Sequence, residues 1–72
     1  MDFYKNMENK GDTIISTIDN YKDNNQKLDA IIRACEYYMI SEKHANIQED
    51  RDRVHNKLTD CICKGEIIKN NK

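Results

Sequence analysis

Proline and tryptophan are absent from this chain, and glycine occurs only at Gly11 and Gly65. Proline deletes a helical hydrogen bond, and glycine weakens a helix by about 1 kcal/mol, so little between those two glycines would stop a helix. No apolar run approaches the ~20 residues that span a bilayer, and the start of the chain does not read as a signal peptide. The expected address is the cytoplasm. An excess of positive charge is also missing: 12 basic residues stand against 13 acidic ones, for a net charge of −1. A duplex-binding domain draws its affinity largely from neutralising phosphates, so this balance argues against nucleic acid as a partner. Cys35, Cys61 and Cys63 are odd in number and read as reduced thiols, not as a disulfide framework.

Seventy-two residues, 38% hydrophobic and 35% charged, allow one small domain with a modest core and much of each helix facing water. Asparagine, lysine and isoleucine dominate, whereas arginine occurs only at Arg33, Arg51 and Arg53. That bias matches A/T-rich codons and points to an AT-rich genome, bacterial, phage, plasmid or viral.

The strongest pattern is a seven-residue repeat. Tyr4, Met7, Gly11, Ile14, Ile18, Tyr21, Asn25, Leu28, Ile32, Cys35 and Met39 follow alternating steps of three and four. Ile18, Asn25, Ile32 and Met39 take the a positions, and Ile14, Tyr21, Leu28 and Cys35 the d positions, of a stripe that another helix must cover. Gly11 followed by Asp12 and Thr13 looks like a helix start. Asn25 allows two readings. It sits at an a position of one continuous helix, or Asp23-Asn24-Asn25-Gln26 is a break in which Asp23 caps a new helix. The continuous helix is favoured, because a kink would interrupt the stripe. A second stripe runs through Ile47, Val54, Leu58, Cys61 and Ile68, with Asn46 as its cap and Gly65 as its stop.

The spacing therefore predicts an all-α fold: an N-terminal segment 1–11, helix one over 12–40, a connection 41–46, helix two over 47–68 and a frayed tail 69–72. The two helices form an antiparallel hairpin, with a short N-terminal or kinked third helix as the variant. Helix two is too short to cover all of helix one. Ile14, Ile18, Tyr21, Asn25 and Leu28 become the expected self-association surface, and a dimeric helical bundle the expected assembly. The competing cover is the N-terminal segment, folding back through Phe3, Tyr4 and Met7.

No chemistry is written clearly into the sequence. Cys61 and Cys63 are two apart, and on a helix their thiols point apart, which suits a metal poorly. His44 and His55 have no neighbour that specifies a nucleophile or general base. No cofactor, metal ligand or catalytic residue is expected, and the chain reads as a binding protein and not an enzyme. Asn25-Gln26-Lys27-Leu28-Asp29, followed by Ile32, resembles the Ser-Gln-Glu-Leu-Asp segment of the small sporulation aspartyl-phosphate phosphatases, which are helical hairpins. Gln26, Leu28 and Asp29 match, whereas Asn25 stands for the serine and Lys27 for the glutamate. In that family the motif lies on the second helix and here it falls within helix one, so the activity is not carried over.

The leading expectation is a self-associating protein-binding module. Ile31, Tyr37, Tyr38 and Ile40 are its partner-binding residues, and a phage, viral or mobile-element inhibitor or accessory factor is its setting. A second expectation is a nucleotide-binding protein with pockets between subunits, in which Arg33, Arg51, Arg53 and Lys57 contact phosphate. A third is a structural virion or scaffold component.

Overall fold

The computed structural model describes residues 2–70, which contain helices and no strand. Three α-helices follow one another: α1 Phe3–Ser16, α2 Asn24–His44 and α3 Gln48–Asn70, with a 3-10 turn at Ile18–Asn20. Tyr4 meets Ser41 and Asp12 meets Tyr38, so α1 and α2 are antiparallel. Cys61 meets Cys35 and Gly65 meets Ile31, so α3 is antiparallel to α2 as well, and parallel to α1. The result is an up-down-up bundle of 39 × 20 × 14 Å. The expected hairpin is present as α2 and α3, and α1 lies along it.

The break after Ser16 corrects the expectation of one helix over 12–40, and its cause is local. Thr13 donates its hydroxyl to the Asn9 carbonyl, Ser16 to that of Thr13, and Thr17 to those of Thr13 and Ile14. Hydroxyls that bond back to the preceding turn, in a stretch rich in β-branched residues (Thr13, Ile14, Ile15, Thr17, Ile18), disfavour further helix. The Thr17 N–H then closes onto the Ile14 carbonyl at 3.2 Å. The chain makes one tight turn and extends at Tyr21. Asp23 restarts it, its carboxylate accepting the Asn25 N–H at 2.9 Å, as an N-cap does. Asn25 thus belongs to the first turn of α2, exposed, and not to a buried a position.

Both glycines sit inside helices, neither in the left-handed region, so neither starts nor stops one. A Cβ on Gly11 would lie 2.6 Å from Tyr38 Cε1 and 2.8 Å from Cζ. The missing side chain lets α1 approach the Tyr38 ring. A Cβ on Gly65 would lie 3.3 Å from Ile31 Cγ2, and α3 continues past it to Asn70. Segment 1–11 is therefore largely α1, and the connection between α2 and α3 shrinks from 41–46 to 45–47. Ser41 stays helical, with its buried hydroxyl donating to the Tyr4 carbonyl at 2.6 Å. Of the expected frayed tail, Lys69 and Asn70 belong to α3, and 71–72 lie outside the described residues.

The core gathers Ala30, Ile31, Ala34 and Tyr38 of α2, Val54 and Cys61 of α3, and Ile18 of the turn. Being the middle helix, α2 must bury two arcs, one toward each neighbour. Ala34 and Ser41 let both neighbours come close. A single-seam heptad reading selects the wrong arc: Ile32 and Met39, expected at buried a positions, are each 56% exposed.

Candidate protein-binding groove

Two features stand out once the bundle is formed, one polar and closed, the other apolar and open. The closed one joins α1 to α3. Glu8 is buried, and its carboxylate takes a two-pronged bond from Arg53, Nε to Oε2 at 2.9 Å and Nη2 to Oε1 at 2.8 Å. Lys57 reaches Glu8 Oε2 at 2.8 Å and Asp12 Oδ2 at 2.9 Å. Asp12 also accepts the Tyr38 hydroxyl at 2.7 Å. Asp50 accepts the Tyr4 hydroxyl and Arg53 Nη1, both at 2.7 Å. Bidentate arginine–carboxylate geometry of this kind is strong and directional.

These bonds set the protonation states. Hydrogen bonding from Arg53 holds the Glu8 carboxyl down at about 2, outweighing the opposing effect of burial, with Lys57 helping. The Tyr4 hydroxyl, with Arg53 behind it, lowers Asp50. Burial, then the Asp12 hydrogen bond, pushes the Tyr38 phenol up. Burial pulls Lys57 down, but its bonds to Glu8 and Asp12 outweigh it and the net shift is upward. Every buried side-chain polar atom among the described residues has a partner. The buried atoms of the cluster satisfy one another, and it serves as a clamp between helices in which Arg53 and Lys57 are already committed to carboxylates.

The open feature lies between α2 and α3 on the opposite edge. Leu28, Ile31, Ile32, Cys35 and Met39 form one wall, Ile62 and Gly65 the other, around a groove of about 370 Å³. Glu36 and Glu66 stand on its rim, with Lys69 beside them. Ile32 and Met39 are half exposed, as is Ile62 at 51%. Leu28, Ile32, Cys35 and Met39 keep the alternating steps of four and three, so the heptad stripe from Leu28 to Met39 is this groove's wall.

The sequence-predicted residues are scattered around these features. Ile31 and Tyr38, each 3% exposed, are interior, so a partner docking on the folded subunit would not reach Tyr38 and would meet Ile31 only as groove floor. Tyr37 turns toward α1, where Lys10 Nζ sits 5.6 Å from its ring centroid. Ile40 is partly exposed, outside the groove. Among the self-association residues, Ile14 and Ile18 pack against the core, Leu28 lines the groove, and Tyr21 and Asn25 are exposed. The N-terminal segment supplies part of the cover that a second subunit was expected to give. Among the phosphate candidates, Arg53 and Lys57 are engaged by carboxylates, Arg51 donates Nε to the Ala45 carbonyl at 3.0 Å, and Arg33 is exposed on α2. The structure does not bring the four together as free cations.

Sequence reasoning missed Ile62, hidden between two cysteines, and Glu8, which lies off the apolar stripe. A signal existed for the second. Glu8 and Asp12 are four apart, as are Arg53 and Lys57, so the two ladders match whenever their helices run parallel. Compared with known proteins, the chain matches no family model, no curated protein and no solved structure. The five-residue likeness at Asn25 to Asp29 falls at the start of α2, and no family assignment rests on it.

Proposed function

We propose that this chain is a small helical protein-binding module whose α2–α3 groove takes one amphipathic helix of a partner protein. The observation that carries the reading is the row Leu28, Ile32, Cys35 and Met39 facing Ile62 across an apolar trough. Helix-in-groove recognition uses such a row, with partner side chains at i, i+3, i+4 and i+7 as anchors. Contiguous exposed apolar surface of this kind marks interaction sites in small soluble domains.

The rim favours a particular occupant. Glu36 and Glu66 give it a negative bias that Lys69 only partly offsets. A helix with lysine or arginine beside its apolar row gains from that bias. A second copy laid two-fold on the same groove would bring Glu36 and Glu66 near their own equivalents, where like charges disfavour pairing. A foreign helix with basic flanks therefore fits better than self-association through this face. Inhibition of a host or partner protein, the setting suggested by the codon bias, would follow if that helix belongs to the partner's working surface.

The test pairs titration calorimetry with light scattering. Two helical peptides share one leucine row and differ only in lysine or glutamate flanks. The lysine-flanked peptide is expected to bind about tenfold more tightly at low salt, a difference of ~1.4 kcal/mol, and Ile32→Asp or Ile62→Asp is expected to abolish binding. Equal binding of both peptides, or of wild type and Ile32→Asp, would overturn the proposal. So would a stable dimer that Ile32→Asp dissolves, since the occupant would then be a second copy.

A further inference from the structure

Cys35 and Cys61 are free thiols on facing helices, one half-buried and one buried. Their sulfurs lie 3.1 Å apart, with the Cys35 thiol donating to Cys61 and the Cys61 thiol donating to the Ile31 carbonyl at 3.5 Å. A disulfide is ~2.05 Å long, so about 1 Å of approach separates this pair from a covalent bond. The two thiols already point at each other across the helix interface. Cys63, exposed two residues further on, belongs to the outer surface of α3 and takes no part.

We propose that Cys35 and Cys61 are a reversible oxidation site, closing to an intramolecular disulfide that bolts α3 to α2 when the chain meets a hydroperoxide. Cys35 is the entry point, because it lines the groove and is reached from solvent. It loses its proton and attacks the terminal oxygen of the hydroperoxide. The O–O bond breaks, and the organic fragment leaves as an alcohol carrying a proton. Cys35 becomes a sulfenic acid. The Cys61 sulfur then attacks the Cys35 sulfur, the S–O bond breaks, and hydroxide leaves with the Cys61 proton as water. In sum, two thiols lose two electrons and two protons to give one disulfide, and the hydroperoxide is reduced to an alcohol and water.

Burial, with the Cys35 hydrogen bond behind it, pushes the Cys61 thiol up to about 12. The second step therefore depends on proton removal and is expected to quicken as pH rises. The two residues are 26 apart in sequence. Closing a loop of that length restricts the unfolded chain enough to raise the melting temperature by about 20 °C, if the native geometry is kept. The thiol pair is set by the α2–α3 contact and is tested on the chain with its groove empty, so the outcome does not depend on what the groove binds.

The experiment uses the reduced full-length chain carrying Cys63→Ser, treated with one equivalent of hydrogen peroxide, alkylated and analysed as intact protein and as tryptic peptides. The expected product is monomeric and 2 Da lighter, with residues 34–43 joined to residues 58–64. Dithiothreitol restores the starting mass, and the oxidised form melts about 20 °C higher. Cys35 recovered as sulfinic acid or as a stable mixed adduct beside an alkylated Cys61 would overturn the proposal. A cross-link found only between two chains would overturn it equally.

Discussion

The two interfaces of α2 are built by opposite means, and each contains a glycine. Toward α1 the contact is close and directional. Gly11 admits the Tyr38 ring, Tyr38 bonds Asp12, and Ser41 bonds the Tyr4 carbonyl. Toward α3 the contact is apolar and less specific, with Ile31, Ala34, Val54 and Cys61 in the middle and a groove where the seam opens. Hydrogen bonds fix register at the first interface. At the second, side-chain volume does most of this, helped by the weak thiol bonds of Cys61 with Cys35 and the Ile31 carbonyl and by an exposed His55–Glu42 contact, which leaves room for small adjustments and for another helix.

Replacing the two glycines gives the widest contrast. Gly11→Val is expected to destabilise the bundle by about 3 kcal/mol, because the Tyr38 ring is buried, held by Asp12 and cannot step aside. Thermal unfolding would then move down by more than ~10 °C for a chain of this length. A Gly11→Val protein that melts within a degree or two of wild type would mean that α1 does not lie where it is described.

The charged clamp comes next. Glu8→Gln keeps the shape and removes the charge that Arg53 and Lys57 share. With Arg53 partly exposed, solvent screens much of the loss, and about 2 kcal/mol is expected by chemical denaturation. The same carboxyl gives an acid limit. Its folded pKa of about 2 lies below the unfolded value of 4.5, so its stabilisation is fully present above pH 4.5. It is lost as pH falls from there through 2, because only the unfolded state takes up the proton readily. Wild type should lose stability steeply across that window, and Glu8→Gln should follow a flatter curve. Parallel curves would remove Glu8 from the account.

Smaller effects test the other interface. At Gly65 a methyl group meets Ile31 Cγ2 at 3.3 Å, and that side chain borders the open groove and can give way. The helix preference for alanine should then win, and Gly65→Ala is expected to stabilise by about 0.5 kcal/mol. A loss above ~1 kcal/mol would show this seam to be as tight as the first. Smallest of all, Ile32→Asp should leave stability within about 0.5 kcal/mol of wild type, since its side chain already faces water. A larger loss would make the groove wall part of the core.

The helical class, the α2–α3 hairpin and the second stripe were legible because periodicity and the lack of proline report local backbone preference. The restart at Asp23 was legible as an alternative, and lost to the unbroken stripe only because hydroxyl back-bonding by Thr13, Ser16 and Thr17 does not show in hydropathy. Gly11 was misread for another reason. Glycine at a helix start and glycine under a crossing aromatic ring look alike in one dimension, and only the third separates them. Ile32 and Met39 were placed inside because a heptad assumes one partner, whereas α2 has two.

The connectivity has a kinetic consequence. Successive helices are antiparallel neighbours joined through residues 17–23 and 45–47, so both hydrophobic interfaces form between segments adjacent along the chain. Only the clamp, Tyr4 with Asp50, Glu8 with Arg53 and Asp12 with Lys57, must close over 45 or 46 residues. Chains dominated by short-range contacts fold in microseconds to milliseconds. Docking of α2 on α3 across the shorter link would come first, and α1 would latch last, when its two acids find their two bases.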